Sequence, residues 1–300
     1  MTAGPVLARL DRPATDERVR IAVIADPHVT ERERGTWKCY HRTVERFRAA
    51  LTAADRRGAD AVVLAGDLTA DGRPEEFDIV DGVLGETAVD PLVVPGNHDV
   101  PKTFDDHDTP AVAAFEDRYG SLPATETVGP VTLLAVDSAS DPGGRLRDTW
   151  GGAVGPAQRE WLADRAADAA VPIVLTHHPL TALPEHDGYP WTNFQAGDRE
   201  AVRSVCRRHG VELVVSAHHH VPALARHSGV TELLSPAVCS FPQATLELVV
   251  GPEGTTVRLV PLADRAGVEE AYHLARGGKA LGRGICTMTE ARLARLPLSA

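Results

Sequence analysis

Lysine is scarce in this chain, and most of its positive charge is carried by arginine. The formal net charge is −11. No basic stripe is present, which argues against an extended nucleic-acid footprint, because phosphate backbones are bound by clustered Lys and Arg. A small anionic substrate stays open, since bound metal ions reverse the local charge. Cysteine is sparse as well. Cys39, Cys206, Cys239 and Cys286 form no Cys-x-x-Cys pair, and their irregular spacing reads as free thiols in a reducing compartment. No run of about 18 apolar residues occurs, so no membrane span is expected. Residues 1–20 lack the apolar core and basic start of a signal peptide. Together these absences set the expectation of a soluble, cytoplasmic protein. Internal repeats and low-complexity segments are missing too.

What is present is an ordinary globular composition. The chain has 300 residues, 43% of them apolar, enough for one large α/β domain or two smaller ones. Residues 1–17 read as an irregular lead-in with two prolines. Residues 19–25, 61–65 and 91–94 are short, branched, apolar runs that predict buried strands. Between the first two, residues 41–57 carry Val44, Phe47, Leu51 and Ala54 on one helical face, stopped by Gly58. A second helix separates the next pair. This strand–helix alternation implies parallel pairing through right-handed crossovers. Further on, strands are predicted at 131–136, 172–175 and 213–216, and helices at 158–169 and from an Asp198 N-cap to His209. Residues 244–250 and 256–260 alternate in character around Gly251-Pro252-Glu253-Gly254, which reads as an antiparallel hairpin. Residues 18–265 are therefore expected to form the main α/β domain. Residues 266–300, helix-biased but interrupted by glycines, are expected to be an appendage, a dimer contact or a flap.

Metal-binding residue types cluster at the ends of these apolar runs. The patches are Asp26-Pro27-His28, Gly66-Asp67, Gly96-Asn97-His98-Asp99, His177-His178-Pro179 and His218-His219-His220, and they hold seven of the 13 histidines. Strands of an open α/β sheet deliver their carboxyl ends to one crevice, so ligands placed there converge. Asp26 and His28 are expected to face the crevice together, as alternate residues of an extended chain do. Gly66 and Gly96 would let the backbone turn tightly beside a metal. Carboxylate, imidazole and amide donors suit Mn, Fe, Zn or Co rather than a Cys-rich structural zinc site. A carboxylate shared by two ions holds them about 3.5–4 Å apart, as in phosphatases and nucleases.

The order Asp-x-His, Gly-Asp, Gly-Asn-His-Asp, His-x-Pro, His-x-His resembles the calcineurin-like metallophosphoesterase superfamily from residue 20 to about 250. Gly66-Asp67-Leu68-Thr69-Ala70-Asp71-Gly72 and the histidine pair before Pro179 are similar to the bacterial class III cyclic-nucleotide and glycerophosphodiester phosphodiesterases. The resemblance implies a four-layer αββα sandwich of two mixed β-sheets and a dinuclear centre of Fe, Mn or Zn. By that resemblance, Asp26, His28 and His220 would hold one ion, Asn97, His177 and His218 the other, and Asp67 would bridge. His177 is taken over His178 because the family pattern is His-x-Pro. His98 would bond the substrate or protonate the leaving group, with Asp99 behind it as an orienting partner. The family normally has Gly where this chain has Ala217. Alanine disfavours a left-handed backbone, so His218 and His220 are expected to be slightly less well placed, and an altered metal preference stays open.

The implied activity is metal-assisted hydrolysis of a small phosphodiester, with no Ser or Cys nucleophile. Its rivals are a phosphomonoesterase and a non-hydrolytic or scaffold member. The partner is then a small phosphoester, with no nucleic acid, no membrane and a homodimer left open. His219 reads as a substrate contact or an exposed spacer. Residues 105–108 read as a solvated acidic loop. Trp37, Tyr40 and the loop 183–191 are candidate pocket walls.

Overall fold

The computed structural model describes residues 4–140, 150–183 and 195–299. The 183–191 loop lies outside them except for Leu183. Among the described residues, twelve strands form two six-stranded sheets. The first sheet contains β1 (Val6–Leu10), β2 (Val19–Ile24), β3 (Ala61–Ala65), β4 (Leu92–Val94), β11 (Ala244–Gly251) and β12 (Gly254–Pro261), in the order β1-β12-β11-β2-β3-β4. The second contains β5 (Ala124–Val128), β6 (Val131–Ala135), β7 (Val171–Leu175), β8 (Leu213–Ser216), β9 (Ala223–His227) and β10 (Val230–Leu234), in the order β5-β6-β7-β8-β10-β9. Both sheets are mixed. The runs β2-β3-β4 and β6-β7-β8-β10 are parallel and the remaining pairings antiparallel.

The layering follows from the two-residue period of the strands. Ile21, Val23, Ala61 and Val63 of the first sheet meet Leu133, Ile173, Leu213 and Val215 of the second in one central core. The alternate residues Ala22, Ile24, Val62 and Leu64 face outward and are covered by Phe47 and Leu51 of α1 (Thr43–Arg56) and Phe77 and Val80 of α2 (Pro74–Gly85). Phe47 is fully buried, and withdrawing a side chain of that size from water contributes about 2–3 kcal/mol. Phe115 of α3 (Val112–Tyr119) joins this layer. Leu134, Val174 and Val214 face the other way, under Leu162 of α4 (Gly155–Asp168) and Val202 and Cys206 of α5 (Arg199–Arg208). The expected αββα sandwich is thus observed.

Two local readings change. The lead-in is not irregular, because residues 6–10 form β1, pairing with β12 from Val6↔Arg258 to Leu10↔Thr255. Asp198 precedes α5 as expected, yet its carboxylate accepts from Val154 N at 3.0 Å and Gly155 N at 2.9 Å, capping the neighbouring α4. The tail forms α6 (Arg265–Gly277) and α7 (Ala280–Leu293), which share buried clusters with Trp37, Cys39 and Val221. Asp264 caps α6 by accepting from Gly267 N at 2.9 Å. Leu298 N donates to Leu7 O at 2.7 Å, tying the tail back to β1. The hairpin closes at Gly251↔Gly254, and Gly254 has φ +97° there. No described helix is long and apolar enough to cross a membrane, and all four cysteines are free and buried.

Candidate metal centre

The carboxyl ends of β2, β3 and β4 in one sheet and of β7 and β8 in the other open onto the same crevice, and each delivers one sequence patch. Asp26, His28, Asp67, His218 and His220 all have positive φ, between 44° and 66°. Side chains rarely adopt this left-handed region, which costs of order 1 kcal/mol or more at each residue and concentrates at functional sites. Asp26 and His28 therefore face the crevice through two left-handed turns and not through extended pleating. Backbone bonds hold the loops in place. Asp26 N donates to Gly66 O at 3.1 Å, His28 N to Asp67 O at 3.0 Å and Val29 N to Leu68 O at 2.8 Å. Ala217 is not left-handed, so its methyl group carries no backbone strain, and the expected loosening at that position has no basis.

The side chains gather into two groups. In the first, His28 Nε2 lies 3.3 Å from both His220 Nε2 and Asp67 Oδ2, and His220 Nε2 lies 3.3 Å from Asp26 Oδ1. In the second, His177 Nε2 lies 3.2 Å from Asn97 Oδ1, 3.1 Å from His218 Nδ1 and 3.5 Å from Asp67 Oδ1. Donors bound about 2.0–2.2 Å from one ion sit about 3.0–3.5 Å from each other at adjacent corners. Both groups have that spacing. Asp67 turns one carboxylate oxygen to each.

The protonation of these groups also suits a cation. Asp26 Oδ1 is buried and accepts no hydrogen bond, an arrangement that is costly for an anion unless a positive charge faces it. Burial, reinforced by Lys38, pushes His28 well below the ordinary histidine range. Burial and the neighbouring histidines do the same to His218, and burial lowers His220. Neutral imidazole is the form that binds metal. The far nitrogens are occupied: His177 Nδ1 donates to Ala65 O at 2.8 Å, and His220 Nδ1 pairs with Ser240 Oγ at 3.0 Å. Such bonds fix ring orientation and leave the other nitrogen for the ion.

His178 is arranged differently. Its Nδ1 pairs with Ser138 Oγ at 3.1 Å and its Nε2 donates to Trp150 O at 2.8 Å, so both nitrogens are engaged away from the cluster. His178 can nonetheless be grouped with His177 and His218 by proximity alone. The hydrogen bonds favour His177 as the donor. His219 is buried, which removes the reading of an exposed spacer.

His98 stands beside the first group, its ring 4.5 Å from that of His28 in a T-shaped contact. Its Nδ1 donates to Ala70 O, leaving Nε2 for a substrate. Burial first, then Lys38, pushes its pKa down to about 3. Asp99 is not the partner of the His98 ring. Its Oδ2 accepts from Leu68 N at 2.9 Å and Gly96 N at 3.0 Å, and its Oδ1 from Thr69 N at 2.9 Å and Thr69 Oγ1 at 2.8 Å. It clamps the loop after β3 to the loop after β4, and it orients the centre through the backbone.

Several nearby residues had a weak sequence signal or none. Trp37 reaches the site, with its ring 5.2 Å from His220, whereas Tyr40 packs under Arg32. Trp150 stacks on His98 at 5.4 Å and meets Phe104 edge-on at 4.8 Å. Phe104 and Trp150 are the exposed large apolar residues among those described, at 41% and 36%. Residues 105–108 are not simply solvated: Asp105 lies 3.6 Å from Lys102 and 3.5 Å from His107, and Lys102 Nζ donates to Asn97 O at 2.9 Å. Lys38 and Lys102 both border this centre, and no sequence pattern marked either of them.

Residues 19–222 match the family described as Metallophos, calcineurin-like phosphoesterase. The chain is 42% identical over 132 residues to the glycerophosphodiester phosphodiesterase GpdQ of Enterobacter lignolyticus (strain SCF1), covering 43% of this chain and 45% of that protein. It is 25% identical over 197 residues to a probable cyclic nucleotide phosphodiesterase of Synechococcus sp., covering 64% and 69%. The first match thus spans less than half of the relative. Among solved structures, a dimetal phosphatase from Danio rerio superposes with a TM-score of 0.67 over 82% of this chain and 97% of that one at 15% identity, a likeness of fold.

Proposed function

We propose that this chain, which belongs to the calcineurin-like phosphoesterase family, is a two-metal phosphodiesterase acting on small phosphodiesters such as cyclic nucleotides or glycerophosphodiesters. The observation that carries the reading is the position of Asp67, with Oδ2 3.3 Å from His28 Nε2 and Oδ1 3.5 Å from His177 Nε2. Asp26, His28, His220 and Asp67 would hold one ion, and Asn97, His177, His218 and Asp67 the other. Bound there, two ions such as Mn, Fe or Zn would neutralise phosphoryl oxygens and activate the attacking water.

The protein's own groups do the rest. His98 presents Nε2 to the leaving-group side, because Nδ1 is committed to Ala70 O. A neutral His98 accepts there. An arriving phosphoryl anion would favour uptake of a solvent proton at Nε2, which His98 then gives to the leaving oxygen as its bond to phosphorus breaks, so that the alcohol departs neutral. Trp150 stacks on the His98 ring on that side, with Phe104 edge-on to Trp150. The net charge of −11 disfavours polynucleotides. The preference for diesters draws on the names of the two relatives.

The test is hydrolysis of bis(p-nitrophenyl) phosphate against p-nitrophenyl phosphate by metal-stripped protein resupplied with Mn, Fe, Zn or Co. Metal-dependent cleavage of the diester in preference to the monoester supports the proposal. A preference for the monoester moves the assignment to phosphatase. Turnover of neither, with metal bound, removes the diesterase reading for simple esters.

A further inference from the structure

Lys38 is buried against the first donor group. Its Nζ lies 3.0 Å from His28 Nε2 and 3.4 Å from His28 Nδ1. A donor in line with the Nε2 lone pair would sit much farther from Nδ1 than from Nε2. The similar distances place the ammonium beside the imidazole, and the Nε2 lone pair stays directed at its cluster neighbours. Lys38 borders the metal cradle without filling it.

Its charge has no carboxylate partner among the described residues. Its Nζ makes no ion pair with Asp26 or Asp67, and its aromatic neighbour is Trp37, whose ring centroid lies 5.4 Å away. A buried cation without a counter-ion is costly, and the fold nevertheless holds this one in place. Lys38 O accepts from Thr36 N and Tyr40 N, each at 2.8 Å. Lys38 bridges to Ser240, whose hydroxyl orients His220. From outside, α7 approaches so closely that a methyl group on Gly282 would overlap the Trp37 side chain. The C-terminal helices thus press the Trp37–Lys38 segment onto the centre.

A fixed cation that makes no direct ion pair among the described residues, beside a phosphoester site, is complementary to an anionic oxygen of the substrate. We infer that Lys38 is a substrate-binding residue whose ammonium takes a non-bridging phosphoryl oxygen at the edge of the first donor group. The inference rests on reading the centre as a phosphoesterase site. It has a second consequence. An ammonium and bound metal ions repel each other until an anion lies between them, so removing the charge weakens phosphate binding without weakening metal binding.

The experiment measures inorganic phosphate binding to Mn-loaded full chain by calorimetry, and Mn affinity by equilibrium dialysis, for wild type, Lys38→Met, Lys38→Gln and Lys38→Arg. Both neutral variants are expected to bind phosphate about 10–100-fold more weakly, with Mn affinity equal or tighter, and Lys38→Arg to recover most of the phosphate affinity. Lys38→Gln serves if Lys38→Met folds poorly. Phosphate affinity unchanged in a folded neutral variant overturns the assignment, and so does a parallel loss of Mn and phosphate, which marks a structural role. Wild-type protein that binds Mn, but neither binds phosphate nor cleaves an aryl phosphoester, overturns the phosphoesterase reading along with it. Activity in the wild type with an unaffected neutral variant overturns only the role of Lys38.

Discussion

Gly96 and Asp67 are packed so closely that a methyl group on Gly96 would overlap the Asp67 carboxylate and its backbone nitrogen. This approach lets His98 N donate to Asp67 Oδ1 at 2.8 Å, which aims the carboxylate between the two donor groups. Gly96→Ala is therefore expected to displace Asp67, to destabilise the fold by about 1–3 kcal/mol as overpacking does, and to lower metal content. Thermal unfolding and metal analysis of the purified variant check this. Full metal content at wild-type stability would mean that the contact is slack.

His98 and Asp99 are neighbours with separable tasks. His98→Ala is expected to lower kcat by about 10²–10⁴-fold with metal content intact, the range for losing a positioned acid or base. Asp99→Asn replaces one of two acceptor oxygens, each taking two hydrogen bonds, by an NH₂ group. Its expected signature is a loss of about 2–3 kcal/mol of stability, with metal and activity falling together. Equal metal loss in both variants would contradict the division.

Much of this was legible in the sequence. The apolar runs marked the central strands to within a residue or two, because buried parallel strands are continuously hydrophobic. Several features escaped, β5, β9 and β10 among them. β1 is short and its partner β12 lies at the far end of the chain, so no local pattern announces the pairing. Asp198 sits at a helix start and caps a different helix, a choice made by packing. Asp99 follows His98 in sequence but bonds to backbone amides. The candidate ligands were identifiable by type and order. Their left-handed backbone was not, because none of the five is glycine.

Trp150 offers an aromatic face at the mouth of the crevice, stacked on His98 and paired with Phe104. Trp150→Ala is expected to raise KM about 3–10-fold for phosphodiesters with an aryl or nucleobase group, and to change KM for a glycerophosphodiester less. Steady-state kinetics on both classes decide it. An equal change for both would remove any selective stacking role.

Away from the centre, Glu247 on β11 accepts from Arg57 at 2.7 and 2.8 Å and from Arg20 at 2.8 Å. Burial alone would raise its pKa, but the two guanidinium groups outweigh that and hold it below the usual carboxylate range. A depressed folded pKa gives stability that is present above the unfolded value, near pH 4.3, and is lost as pH falls through the folded value. Glu247→Gln is expected to cost about 2–3 kcal/mol at pH 7, below the range for a fully buried pair because Arg20 is partly exposed. It should also flatten the loss of stability below about pH 4. Denaturant titrations between pH 3 and 7 measure both effects, and an unchanged acid limb would rule out this group as a contributor.

The most direct test of the shared carboxylate is the number of ions bound per chain. Wild type and Asp67→Ala would be stripped, reloaded with Mn or Zn, freed of unbound metal and analysed by elemental mass spectrometry against protein concentration. Two ions per wild-type chain, with both sites weakened by the single substitution, is the expected result. One ion per wild-type chain, or two ions retained after Asp67→Ala, would contradict a centre built around Asp67.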